Sequence, residues 1–311
     1  MQRRDFTQKA AKAAIAALAA IAASGCALPR SGPSAAASDA PAARFRQRMQ
    51  AIEQASGGRL GVAVRDTHSG AAFAHRGGER FPLCSTFKFL AAAQVLARVD
   101  SGAEQLDRRI AVLASDLVPY APVTQPRVGG EPMTVAELCD AAVTLSDNVA
   151  GNLLLRSFGG PAALTAYLRG LGDGQTRLDR IEPELNQALP GDPRDTTTPE
   201  AMLQTLHRIV LGDALSPPSR AQITRWLVDN KTGDRKIRAA LPAGWRVGDK
   251  TGAGAFGTNN DIAVLWPPGR LPMLPVLVTA YLTDTSADQA VRDQALAEVG
   301  RLVVALATGA A

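Results

Sequence analysis

Trp245-Arg246-Val247-Gly248-Asp249-Lys250-Thr251-Gly252, with Asp261-Ile262-Ala263-Val264-Leu265-Trp266 after it, decides the fold. Both runs are short, and Gly, Pro and Asn interrupt the chain around them. Together with Leu274 to Leu282 they read as three strands. From Asp288 to Thr308 the period becomes helical, with Val291, Leu296, Val299, Val303 and Leu306 along one face. The other end of the chain mirrors this order. Arg44 to Ala55 carries Phe45, Met49 and Ile52 at helical spacing and stops at Gly57-Gly58. Leu60 to Val64 and Ala71 to His75 then form a hairpin around His68-Ser69-Gly70. From Ser85 to about Trp226 no long strand pattern occurs. Helical stretches fall at 86–99, 134–141, 147–157, 161–170, 199–211 and 219–228. The expected fold class is α/β of the α+β type: an antiparallel sheet from both chain ends, flanked by terminal helices, plus an inserted all-helical domain. The sheet domain takes 44–80 and 236–308, and the helical domain takes 81–235.

Composition excludes several classes. At 311 residues and 46% hydrophobic, the chain can bury a core without disulfide or metal staples, and a disordered chain is excluded. Lys and Arg number 34 against 29 Asp and Glu, but Arg3, Arg4, Lys9 and Lys12 belong to the first 25 residues. The remaining charges are interspersed without a basic block, so no nucleic-acid partner is expected. His68, His75 and His207 are too scattered for a zinc hydrolase, and no metal is expected.

The first residues read as an address. Arg3-Arg4-Asp5-Phe6 precedes an apolar run from Ala13 to Ala23, too short to span a bilayer. Residues 1–25 are expected to be a signal peptide, and the paired arginines resemble a twin-arginine export signal. Ala23-Ser24-Gly25-Cys26 resembles a lipobox, with Ala23 where leucine is usual; cleavage near Ala37 or Ala43 is the alternative. The expected location is the periplasm, with a lipid anchor through Cys26. Residues 26–43, rich in Ala, Ser and Pro, read as a flexible tether.

Four motifs carry chemistry. In Ser85-Thr86-Phe87-Lys88 the serine starts a helix and the lysine lies three residues on, on the same face. A serine hydroxyl needs such a neighbour to become a nucleophile, but the pattern alone also occurs by chance. Ser146-Asp147-Asn148 supplies a hydroxyl and an amide, yet equally reads as a plain helix cap. Lys250-Thr251-Gly252 ends a strand in small residues, where a ligand can approach the backbone. Its duplicate, Lys231-Thr232-Gly233, follows a helix and reads as a turn. The fourth motif, Glu182-Pro183-Glu184-Leu185-Asn186, lies in a long segment, 173–198, with few apolar side chains to hold it. A segment of that length is functional or disordered. Arg180 and Asp195 stand near its ends as a possible clasp.

Taken together and in this order, the four motifs resemble the signatures of class A serine beta-lactamases, and the resemblance covers about residues 44–308. It implies a beta-lactamase/transpeptidase-like fold with an omega loop at 178–196, closed by Arg180 and Asp195, and a cis bond at Glu182-Pro183. It also implies hydrolysis of penicillins and cephalosporins through a serine acyl-enzyme, conferring resistance. Ser85 would be the nucleophile, with the Ser85 and Ala253 amides as oxyanion hole. Lys88, or Glu182 through a water, would be the acylation base. Ser146 would pass a proton to the lactam nitrogen. Asn148 would bind the side-chain amide, and Lys250, Thr251 and Gly252 the carboxylate end. Glu182 with Asn186 would deliver the deacylating water. No cofactor is implied, beta-lactams are the expected partners, and a monomer is expected. Pro119, Tyr120 and Gly254 are expected to line the pocket.

Some positions depart from the family pattern. Asn259 stands where many members carry a carboxylate-binding arginine, and Lys236 is a candidate replacement. Gly254 occupies the place of a cysteine that pairs with the one before the nucleophile in some relatives. Ala92 occupies the place of a partner for Cys139. No intramolecular disulfide is therefore expected. The alternatives are a penicillin-binding D-Ala-D-Ala peptidase and a non-catalytic penicillin sensor; Glu182 and Asn186 argue against both.

Overall fold

The structure is a computed structural model and describes residues 35–310. The signal and Cys26 therefore lie outside the described residues. Asp39–Ala311 form one compact unit.

Within it, α1 (Ala35–Ser56) leads through Gly57, in the left-handed region, into β1 (Arg59–Asp66) and β2 (Ala72–His75). β7 (Arg246–Ala253), β8 (Asn259–Trp266), β9 (Val276–Thr283) and α8 (Gln289–Thr308) come from the other chain end. The five strands form one antiparallel sheet in the order β2-β1-β9-β8-β7. Between them lie α2 (Phe87–Asp100), α3 (Val135–Thr144), α4 (Asn148–Phe158), α5 (Gly160–Gly170), α6 (Pro199–Val210) and α7 (Pro217–Val228).

The sheet is covered on both faces, which is why its central strands are almost continuously apolar rather than alternating with polar residues. Successive side chains still point to opposite sides. Leu60, Val62 and Val64 of β1 join Ala263 and Leu265 of β8 in a core shared with Phe45 and Met49 of α1 and with Leu296 and Val299 of α8. The intervening Ala63, Ile262 and Val264 face a second core with Phe87, Leu90, Leu138 and Leu154 of the helical block. Contact there is close at Gly61, where a Cβ would meet the Phe81 ring at 2.3 Å.

The structure departs from the sequence expectations in three places. First, α1 begins at Ala35, inside the stretch read as a tether; the alanines there are strong helix formers, and the helix runs on through Pro41. Second, the helical block contains two short ladders. β3 (Phe81–Pro82) pairs with β6 (Thr196–Thr197), and β4 (Arg109–Ile110) pairs with β5 (Met133–Thr134). Pairs of two residues leave no periodic trace in a sequence. Third, the long loop is not held by charges alone, because Leu178 and Leu185 are buried in the helical core.

Candidate active site

The site lies where the edge strand β7 meets the helical block. Gly252 lets this happen, since a Cβ there would stand 3.0 Å from the Leu83 carbonyl and 3.3 Å from Cys84 Cβ. Cys84, Ser85 and Thr86 form one 3-10 turn that runs straight into α2, with Cys84 at a positive φ of 43°. A cleft of about 390 Å³ opens here. Ser85, Tyr120, Ser146, Asn148, Asn186 and Thr251–Ala253 line it at one end. Lys88, Glu182 and Lys250 lie buried alongside these residues.

Lys88 is fully buried at the centre. Its Nζ donates to Ser85 Oγ at 3.0 Å, Ser146 O at 2.8 Å and Asn148 Oδ1 at 2.6 Å, and lies 3.0 Å from Glu182 Oε1. Burial pushes this amine below its usual pKa, against the opposing pull of Glu182. Ser85 Oγ donates to Glu182 Oε1 at 3.4 Å, and Asn186 Nδ2 donates to Glu182 Oε2. Asn186 Oδ1 is buried with no partner among the described residues.

Ser146-Asp147-Asn148 caps a helix and also brings a hydroxyl and an amide to the cleft. Asp147 caps α4 by accepting from Ala150 N at 2.8 Å. It also accepts from the Val123 and Thr124 amides and the Thr124 hydroxyl. So held, the turn tolerates Ser146 at a φ of 57°. Ser146 Oγ accepts from Lys250 Nζ at 3.0 Å while its carbonyl accepts from Lys88, so Ser146 stands between two buried amines. Burial pushes the Lys250 amine well below its usual value, and repulsion from Lys88 and Lys236 adds to this. Asn148 Nδ2 donates to Pro119 O at 2.8 Å, which leaves one amide hydrogen for a ligand.

The loop that carries Glu182 is fixed at both ends. Asp195, 1% exposed, accepts from Arg180 Nε at 2.5 Å and from the Asp179 and Arg180 amides at 2.7 and 2.9 Å. Asn152 clasps the Glu182 backbone twice, donating to its carbonyl and accepting from its amide, each at 2.9 Å. The Glu182–Pro183 bond is cis. Cys84 and Cys139 are free and buried, and the Cys84 sulfur would stand 2.6 Å from a Cβ at Gly254.

Sequence reading missed several of these residues. Asn152 lies one turn after Asn148 on the same helix face, and that spacing was its only signal. The duplicate Lys231-Thr232-Gly233 does form a turn, yet Thr232 reaches the cleft and its hydroxyl lies 2.5 Å from that of Thr251. At the far end, Asn259 is buried and donates to Asp293 Oδ1 at 3.1 Å, as Gln289 does at 2.8 Å. Lys236, nearly buried, lines this end and donates to Asn260 O at 3.1 Å, while Arg235 stands exposed at the rim.

The profile of the beta-lactamase enzyme family matches residues 44–306. The beta-lactamase CTX-M-8 of Citrobacter amalonaticus is 49% identical over 83% of this chain and 87% of its own. The beta-lactamase AST-1 of Nocardia asteroides is 52% identical over 83% and 82%. Among solved structures, an ancestral (GNCA) class A beta-lactamase superposes with a TM-score of 0.82 at 64% identity, covering 84% of this chain and 99% of that one. The chain belongs to the class A beta-lactamase family.

Asp195→Ala leaves Arg180 with only the more distant Asp192, 3.9 Å away, as a carboxylate partner and leaves two backbone amides without an acceptor. Because Arg180 is partly exposed, the local cost is expected near the lower end of the range for broken buried pairs, about 3 kcal/mol. Hydrogen exchange across 178–196 should then rise while the sheet stays protected. Unchanged exchange would mean that the clasp does not hold the loop.

Proposed function

We propose that this protein hydrolyses the beta-lactam ring of penicillins and cephalosporins in two covalent half-reactions on Ser85. The observation that carries this reading is the placement of Ser85 Oγ between Lys88 Nζ at 3.0 Å and Glu182 Oε1 at 3.4 Å. A nucleophile and two candidate bases within hydrogen-bond reach form the arrangement that covalent catalysis requires.

In acylation, Ser85 Oγ attacks the lactam carbonyl carbon and gives up its proton to neutral Lys88, or to Glu182 through a water. The Ser85 and Ala253 amides take the developing oxyanion; losing one such donor typically costs roughly 100–1000-fold in rate. The C–N bond then breaks, and Ser146, fed from Lys250, protonates the leaving nitrogen. In deacylation, Glu182 removes a proton from a water that attacks the ester carbonyl; the bond from the acyl carbon to Ser85 Oγ breaks, and the proton held by Glu182 returns to Ser85 Oγ, 3.4 Å away. The orphaned Asn186 Oδ1 supplies a second acceptor for that water, next to the carboxylate that takes its proton. Lys250, Thr251 and Gly252 receive the substrate carboxylate, and Asn148 uses its remaining amide hydrogen for the side-chain amide.

We assign the second carboxylate-binding cation to Lys236. Asn259 carries no charge and is turned to Asp293, whereas Lys236 lines the same end of the cleft. Lys236→Ala should raise KM for benzylpenicillin several-fold with little change in kcat. An unchanged KM would reject the assignment.

Glu182→Ala should slow deacylation by about 10²–10⁴-fold. After mixing with a penicillin, mass spectrometry should show a lasting adduct on Ser85. The unmodified enzyme should turn over nitrocefin many times per molecule, whereas a peptidase or sensor would stall after one. Full turnover by Glu182→Ala would contradict the deacylating role.

We further propose residues 1–25 as a signal peptide for twin-arginine export to the periplasm, and Cys26 as a lipid-modified anchor. Arg3-Arg4-Asp5-Phe6 and Ala23-Ser24-Gly25-Cys26 support this reading. Arg3→Lys with Arg4→Lys should abolish resistance to a penicillin, and Cys26→Ala should move the protein from the membrane to the soluble fraction. Normal resistance, or unchanged fractionation, would refute the respective part.

A further inference from the structure

The turn between β8 and β9, residues 267–275, is rigid and apolar at its tip. Pro267, Pro268, Pro272 and Pro275 restrict its backbone. Trp266 Nε1 donates to Pro272 O at 3.0 Å, and Leu274 N donates to Leu271 O at 2.9 Å. Arg270 fastens the turn to two neighbours, donating to Asp66 Oδ1 and Ala307 O, each at 2.7 Å. A turn tied in this way cannot fold its tip back onto the body. It holds Leu271 69% and Met273 57% exposed, and Leu271 is the most exposed large apolar residue among those described.

The same rim is basic. Asp66 and Leu265 both stand opposite Val276, and Arg246 stands opposite Trp266, so the end of β1, the start of β7 and the turn lie together. The Arg246 guanidinium lies over the Trp266 ring at 4.7 Å. The compact unit begins here too, because Pro41, Arg44 and Arg48 share a groove with Leu302, Leu306 and Ala310 at the end of α8. Arg44, Arg48 and Arg246 are exposed, and among the described residues none has a carboxylate within ion-pair distance. The Asp66 carboxylate is taken by Arg270.

We propose that this rim is a docking face for an anionic lipid bilayer. Leu271 and Met273 enter the boundary between headgroups and acyl chains, and Arg44, Arg48 and Arg246 meet the lipid phosphates. The chemistry favours lipid over a shaped protein partner. Leu271 and Met273 lie outside the groove between α1 and α8, and two apolar side chains on an exposed turn with separate unpaired cations around them suit a fluid charged layer. Apolar insertion and attraction to anionic headgroups reinforce each other at such a surface. Among the described residues no helix is long and apolar enough to cross a membrane, so the contact is peripheral. The face lies far from the chemistry of Ser85 and does not depend on the catalytic reading. With the proposed anchor at Cys26 it would fix the orientation of the enzyme on the bilayer.

The test uses the full chain with Leu271→Trp, mixed with vesicles of equal parts phosphatidylcholine and phosphatidylglycerol whose acyl chains are brominated. The reporter should be quenched beyond the level of the unmodified chain, whereas Leu113→Trp, an exposed position in the helical block, should show no added quenching. Changing Leu271→Asp together with Met273→Asp should weaken vesicle binding about ten-fold with nitrocefin hydrolysis unchanged, which reports an intact fold. High salt should weaken the binding of the unmodified chain. An unquenched Leu271→Trp reporter, or equal vesicle binding by the double aspartate variant, would overturn the proposal. Equal quenching at Leu113→Trp would overturn it as well.

Discussion

One buried ammonium organises this molecule. Lys88 is fully removed from water, and a charged amine cannot remain so without partners. Its four oxygens come from separate parts of the chain: Ser85 from the turn before α2, Ser146 and Asn148 from the start of α4, and Glu182 from the long loop. Satisfying one charge therefore requires three segments to meet. The devices around the site follow from that requirement. Asp147 holds the strained Ser146 turn, Asn152 grips the Glu182 backbone, and Asp195 closes the loop behind it. The same burial that makes Lys88 demanding also lowers its pKa, and so brings its neutral, proton-accepting form within reach.

The sheet contributes a second constraint. β7 delivers Lys250 beside Ser146, and Lys236 lies buried further along the cleft, so three amines crowd one region. Asp249 and Asp261 offset part of that charge; burial raises the pKa of each carboxyl, and that of Asp261 strongly. What remains is a cleft wall that favours an incoming anion. A substrate carboxylate would supply the missing negative charge, while the small residues Gly252 and Ala253 leave the backbone open to it.

Most of the architecture could be read from the sequence because its central strands are buried on both faces and most of its helices on one, α2 being buried all round. Val247, Ile262, Val264 and Leu277 to Leu282 leave strong apolar runs, and α8 leaves a helical stripe. The four motifs carried different signals: Ser146-Asp147-Asn148 joins chemical groups to a cap, Lys250-Thr251-Gly252 lies at a strand end, Ser85 and Lys88 share a helical spacing, and Glu182 with Asn186 lies in an over-long loop. Asp293 leaves no such signal, Asn152 only a helical spacing after Asn148, and Thr232 only a duplicate motif that reads as a turn; each acts through a partner distant in sequence. The 103–133 region was equally opaque, since its two-residue ladder is stabilised by tertiary contacts. The start of α1 is ambiguous in the sequence because an alanine-rich stretch with prolines suits either a helix or a tether.

The central claim is that the buried Lys88 amine assembles and activates the Ser85 site. Rapid mixing of a Lys88→Ala variant with a penicillin, followed by quenching and mass spectrometry of Ser85, measures the acylation step directly. Acylation should be slower by about 10²–10⁴-fold, with hydrogen exchange in the sheet unchanged. Acylation of that variant at the unmodified rate would show that the hydroxyl is activated without Lys88, and would contradict the claim.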